Sequence, residues 1–158
     1  MMPPLRNLSE ALKHAAQARP TREAFVFGCR QSSVTYETLH ERADVLAGAL
    51  QGLGVHRGDR VALWMQNSPE WVISFFAALR LGAVVVPLNT RFTESEASYI
   101  LNQSGTSVAI VDDVYRGRET NSLLFPVPTF REFAPDSGVL YSKTTVYADR
   151  EVEPFRGI

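Results

Sequence analysis

This chain of 158 residues is short of cysteine, of lysine and of long apolar runs. The single Cys29 excludes an internal disulfide and a cysteine-based metal cluster. It reads as a small packed or half-exposed residue, not a nucleophile. Only Lys13 and Lys143 are lysines, so arginine supplies nearly all of the positive charge. Neither sign dominates: the net charge is -1 and the pI about 6.3, which gives no electrostatic footprint for nucleic acid or an anionic membrane. No apolar run approaches the roughly 20 residues of a membrane helix. The opening Met-Met-Pro-Pro-Leu-Arg has no charged segment leading into an apolar one, so it does not read as a secretory signal. A reducing, cytoplasmic setting is the expectation. Walker-type and dinucleotide glycine patterns are missing, as is the Gly-x-Ser-x-Gly turn of a small hydrolase. His14, His40 and His56 are the only histidines, and none has partners at metal-ligand spacing.

What is there is a succession of clear starts and stops. Asn7 and Glu10 frame a first helix with Leu8, Ala11, Leu12, Ala15 and Ala16 on one apolar face, ended by Pro20. Ala24–Phe27 and Ser33–Thr35 predict a hairpin. Thr35 caps a longer helix whose seam is Leu39, Ala43, Leu46, Leu50 and Leu53, with Glu37, Glu41, Arg42 and Asp44 turned to water. A turn at Val55–Asp59 leads into a strand centred on Val61, Ala62, Leu63 and Trp64. Ser68-Pro69-Glu70 opens a helix so apolar that burial on most sides is expected. Gly82 stops it, and Ala83-Val84-Val85-Val86 shows no alternation, as in a central parallel strand covered on both faces. Thr93 and Glu96 form a second capping box for a helix burying Ala97, Ile100 and Leu101. Val108–Val111 is a further buried strand.

The order strand, helix, strand, helix, strand from Val61 to Val111 predicts an α/β fold: an open, mostly parallel sheet with helices on both faces. This unit is assigned to residues 1–113. Residues 114–158 carry four prolines and no amphipathic period, and form a poorly specified tail. Within it Leu123–Val127 and Thr144–Tyr147 are candidate short strands, and the polar run from Asp149 to Pro154 is a candidate for disorder.

Several of these stretches occur together in one known family. Val34-Thr35-Tyr36-Glu37-Thr38-Leu39, Gly54-Val55-His56-Arg57-Gly58-Asp59-Arg60-Val61, Asn67-Ser68-Pro69-Glu70 and Leu81-Gly82-Ala83 through Pro87-Leu88-Asn89 follow one another at family spacing. Arg91, Glu96 and Tyr99-Ile100-Leu101 continue the pattern. Over Leu8 to Asp113 the chain resembles the N-terminal portion of an AMP-forming acyl-CoA synthetase, in the adenylate-forming superfamily. The resemblance implies an incomplete version of that family's N-terminal domain. It implies a parent reaction that joins a carboxylic acid to AMP with release of pyrophosphate and then passes the acyl group to coenzyme A. ATP, Mg²⁺ and CoA are the cofactors and substrates of the full-length family, in which fatty acid metabolism is the natural setting.

The matching residues are structural. Gly82 permits a helix stop, Pro87 ends a strand, and Asp59 can bond backbone donors in its own turn. The segments that handle chemistry in the family are not found here: the Ser/Thr/Gly-rich loop ending Pro-Lys-Gly, the aromatic-Gly-x-Thr-Glu segment, the Tyr-x-x-Asp pair and the lysine of the C-terminal domain. The nearest to the loop, Leu140-Tyr141-Ser142-Lys143-Thr144-Thr145, lacks the glycines that let backbone N–H groups converge on phosphate. No residue is therefore assigned a catalytic, cofactor-binding or metal-binding role. The chain alone is expected to be a catalytically inactive, truncated ligase that needs no cofactor. The alternative is a non-catalytic module that self-associates, or docks on a partner ligase, through an open sheet edge. Asp112-Asp113 at a strand end reads as solvated carboxylates, and Trp64, Trp71, Phe75 and Phe76 as core packing.

Overall fold

The computed structural model describes residues 7–28, 32–112, 114–115, 118–119, 131–133 and 144–148. Four helices lie in this span: α1 (Leu8–Ala18), α2 (Tyr36–Gly52), α3 (Pro69–Arg80) and α4 (Glu94–Ser104). The strands are β1 (Glu23–Phe27), β2 (Ser32–Thr35), β3 (Arg60–Trp64), β4 (Val84–Pro87), β5 (Thr106–Asp112), β6 (Val114–Tyr115), β7 (Arg118–Glu119), β8 (Arg131–Phe133) and β9 (Thr144–Ala148). β1 and β2 form an antiparallel hairpin, as their composition predicts. The main sheet runs β4-β3-β5-β9-β8. β3 is parallel to both β4 and β5, and β9 joins β5 antiparallel, with β8 antiparallel beyond it.

Each helix begins where local chemistry supplies an acceptor for its free N–H groups. The Asn7 side chain accepts from the Glu10 N–H at 2.9 Å, Thr35 Oγ1 from Thr38 at 3.2 Å and Ser68 Oγ from Trp71 at 3.2 Å. At α4 the box is reciprocal: Thr93 caps the Glu96 N–H, and the Glu96 carboxylate accepts from the Thr93 N–H at 2.8 Å. These bonds, the backbone one first and the Thr93 hydroxyl second, hold the Glu96 carboxyl below the usual glutamate range. A depressed carboxyl contributes stability above its unfolded-state pKa, and that contribution is lost as pH falls through the folded value. Glu96→Gln is therefore expected to be less stable than the parent at neutral pH. The gap should close on acidification below the ordinary glutamate range, as read by thermal unfolding across pH. A gap that stays constant with pH would rule out the carboxylate as its source.

The sheet sorts its side chains by parity. Val61, Leu63, Met65, Val108 and Ile110 face α1, α2 and α3, while Ala62, Trp64, Ala109 and Val111 face α4. Helices thus cover both faces, and residues 61–64 and 108–111 are at most 2% exposed. The α2 seam is buried throughout: Leu39, Ala43, Leu46, Leu50 and Leu53. Gly48 lies on the opposite side of α2, exposed, with nothing within 4 Å of where a Cβ would stand. Glycine there costs helix propensity without serving a contact. Gly48→Ala is expected to add about 0.5–1 kcal/mol and raise Tm by a few degrees in a circular-dichroism melt. An unchanged Tm would show that the helix is not limited by propensity at this point.

The structure corrects several expectations, among them the burial of Ile100, which is only partly buried on α4 beside Ala97 and Leu101. β4 lies at the sheet edge among the described residues, not at its centre, and Val84 is 51% exposed. Its unbroken apolar run reflects two covered faces, with Val85 against the α1–α3 side and Val86 against the α4 side. It carries no information about in-plane neighbours. The edge is also blunted. Val84 and Leu88 donate inward to Asp59 and Leu63 carbonyls, and by strand alternation Val85 and Pro87 face outward, where proline has no N–H to offer. Leu8 is exposed, leaving Leu12 as the buried residue of α1. Arg42 is half-buried at the α2–α3 junction, 3.8 Å from Glu70, because the polar flank of α2 meets α3 before it meets water. On α3, Ile73, Ser74, Ala77 and Ala78 are buried, whereas Trp71, Val72, Phe75 and Phe76 are half-buried, so one flank of the helix stays partly open. Thr144–Ala148 is a strand as predicted, while Leu123–Val127 and Asp149–Pro154 fall outside the described residues.

Candidate functional site

The carboxyl ends of β3, β4 and β5 emerge on one side of the sheet, the side on which open α/β sheets place ligands. The connection leaving β3 runs through α3 over one face to β4, and the connection leaving β4 runs through α4 over the other face to β5. The loops beyond these strand ends carry Gln66, Asn67, Asn89 and Arg91, with Asp112 at the end of β5. Their polar groups make defined bonds. Asp112 accepts the Gln66 N–H at 2.7 Å and ties the end of β5 to the loop after β3. Trp64 Nε1 donates to the Asn89 carbonyl at 3.1 Å, which fixes the loop after β4 over the α4-side core. The Asn89 side chain accepts the Arg91 N–H at 2.9 Å in a local turn that leads to the Thr93 box. These bonds shape the rim of a site without furnishing a nucleophile–base pair. Among the described residues no three His, Cys, Asp or Glu side chains converge as metal ligands.

At the opposite end of the strands the chemistry is structural. Gly58-Asp59 turns the chain into β3, and Asp59 accepts the His56 N–H at 2.8 Å. The His56 ring nitrogen Nδ1 lies 2.7 Å from the Gly54 carbonyl. Arg60 reaches across to the end of α4: Nε donates to the Ser104 carbonyl at 2.9 Å and Nη2 to the Gly105 carbonyl at 2.7 Å, while Nη1 donates back to Gly58 at 3.2 Å. A guanidinium placed on the last carbonyls of a helix satisfies acceptors that have no partner within it. Ser107 is the extra residue of a bulge between β3 and β5, and its hydroxyl donates to the Arg60 carbonyl. Nearby, an open groove of about 650 Å³ lies between the first turn of α1 and the end of α3, with Arg57 and Arg80 on its wall. Arg80 pairs with Asp44, which also lies 3.3 Å from His40 Nδ1.

The residues singled out from the sequence are thus dispersed. His14 and His40 are half-exposed on α1 and α2, and His56 is exposed in its turn. Trp64 is 2% exposed in the core, and Trp71 stacks on Phe75 with ring centres 5.5 Å apart. Asp113, Cys29 and Leu140–Lys143 lie outside the described residues, while Thr144 stands opposite Asp112 in the β5–β9 ladder. Sequence reasoning missed the Arg60 clamp and the Asp112–Gln66 bond. Both join positions more than forty residues apart, and no local pattern announces them.

This architecture and these motifs have known relatives. The profile of the AMP-binding enzyme family matches residues 12–154, and the chain belongs to that family. It is 40% identical over 106 residues to the long-chain-fatty-acid–CoA ligase FadD13 of Mycobacterium tuberculosis, a match covering 67% of this chain and 21% of that protein. It is 34% identical over 132 residues to the putative acyl-CoA synthetase YngI of Bacillus subtilis, covering 81% of this chain and 24% of that protein. Among solved structures, the N-terminal subdomain of NpsA from Klebsiella oxytoca, in complex with anthranilyl-AMSN, superposes with a TM-score of 0.64 at 29% identity. That match covers 77% of this chain and 33% of the NpsA subdomain chain. The chain therefore spans about a fifth to a quarter of the length of the two ligases it matches. No helix among the described residues is long and apolar enough to cross a membrane.

Proposed function

We propose that this chain is the N-terminal portion of an ATP-dependent, AMP-forming acyl-CoA synthetase of fatty acid metabolism, working in the cytoplasm. Residues 1–113 are its α/β unit and 114–158 a poorly specified tail, from which β9 and β8 add to the sheet. The observation that carries this reading is the two-faced β3-α3-β4-α4-β5 unit, whose Gly-Asp turn, Pro-started α3 and Gly-Ala-Val-Val-Val-Pro strand fall within the family match. In the complete ligase a carboxylic acid, ATP with Mg²⁺, and CoA are the reactants, with the metal offsetting phosphate charge. This portion contributes the packed sheet and the loops at its carboxyl end. The phosphate loop and the catalytic lysine belong to other segments, so the 158 residues by themselves are inactive.

Carboxylate-dependent pyrophosphate–ATP exchange tests the proposal. The 158-residue chain is expected to show no exchange. A product extended through the source gene to a Thr-Ser-Gly-Thr-Thr-Gly-x-Pro-Lys-Gly segment and the C-terminal lysine domain is expected to show it. Exchange by the short chain would overturn its inactivity, and an extended product without exchange would overturn the ligase assignment. The alternative, a non-catalytic module that self-associates or docks on a partner ligase, draws on the exposed Val84 at the β4 edge. That edge offers the Val85 N–H but none from Pro87, a poor template for strand pairing, which favours the first reading.

A further inference from the structure

We draw no further inference here: the strongest candidate, the open outer edge of β4 beside the exposed Val84, carries nothing because nothing in the structure shows what covers it.

Discussion

Leu50→Ala is expected to lower the unfolding free energy by about 3 kcal/mol, within the roughly 2–5 kcal/mol range of buried leucine truncations. Leu50 is fully buried on the last turns of α2 and belongs to the cluster that joins α2 and α3 to β3 and β5. Removing its three outer carbons forfeits their transfer free energy and leaves a cavity that the surroundings fill only in part. In the same cluster Val61, Leu63 and Ile110 are fixed by the sheet ladder, and Ile73 and Ala77 by α3, so the surrounding core cannot simply collapse inward. For a unit of about 100 residues the loss corresponds to a fall in Tm of the order of 12 °C. Chemical denaturation monitored by Trp64 and Trp71 fluorescence reads it directly. A loss below about 1 kcal/mol would mean that α2 is not docked on the sheet as described.

The elements that can be read from the sequence are those whose cause is local. Ser68 before Pro69, Thr93 before Glu96 and Gly105 after Ser104 each act within four residues, and each appears where the spacing puts it. The α2 seam is equally legible, because burial of Leu39, Ala43, Leu46, Leu50 and Leu53 follows from helical period alone. Parity in β3 and β5 is hidden, since both faces of those strands are apolar and alternation vanishes. For the same reason β4 reads as central: apolar residues report covered faces, and only the rest of the sheet decides whether a strand has one neighbour or two. The pattern of α2 puts Arg42 in water because it is blind to α3 lying beside it. At the strand ends, Asp112 reads as a solvated carboxylate, whereas its bond to the Gln66 N–H depends on the register of β3 and β5. The family resemblance is stronger than the chemistry because turns, stops and strand ends leave marks in a single sequence. Spatial partners across forty residues do not.

The second large effect is expected at Gly105, where one methyl group should disturb two structures at once. Gly105 ends α4 with φ +61°, a left-handed conformation that costs an L-residue about 1–2 kcal/mol. A Cβ built there would stand 2.8 Å from Arg60 Nη2. The guanidinium tip is mobile in general, but here it is held by the carbonyls of Gly58, Ser104 and Gly105, and it cannot withdraw without stretching those bonds. Hydrogen bonds from a charged group contribute about 1.5–3 kcal/mol net. Gly105→Ala should therefore cost about 2–3 kcal/mol in total, the strain and part of the clamp together. Arg60→Met, which keeps a flexible apolar stem but removes every donor, should cost about 2 kcal/mol alone. The double variant separates the two contributions. In the Arg60→Met background the alanine methyl meets no fixed guanidinium, and the second substitution should cost only the backbone strain, about 1–2 kcal/mol. The combined loss is then smaller than the sum of the single losses, by an amount equal to the part of the clamp that the methyl breaks. Strict additivity in urea unfolding would show that Arg60 moves aside from the methyl without losing its bonds.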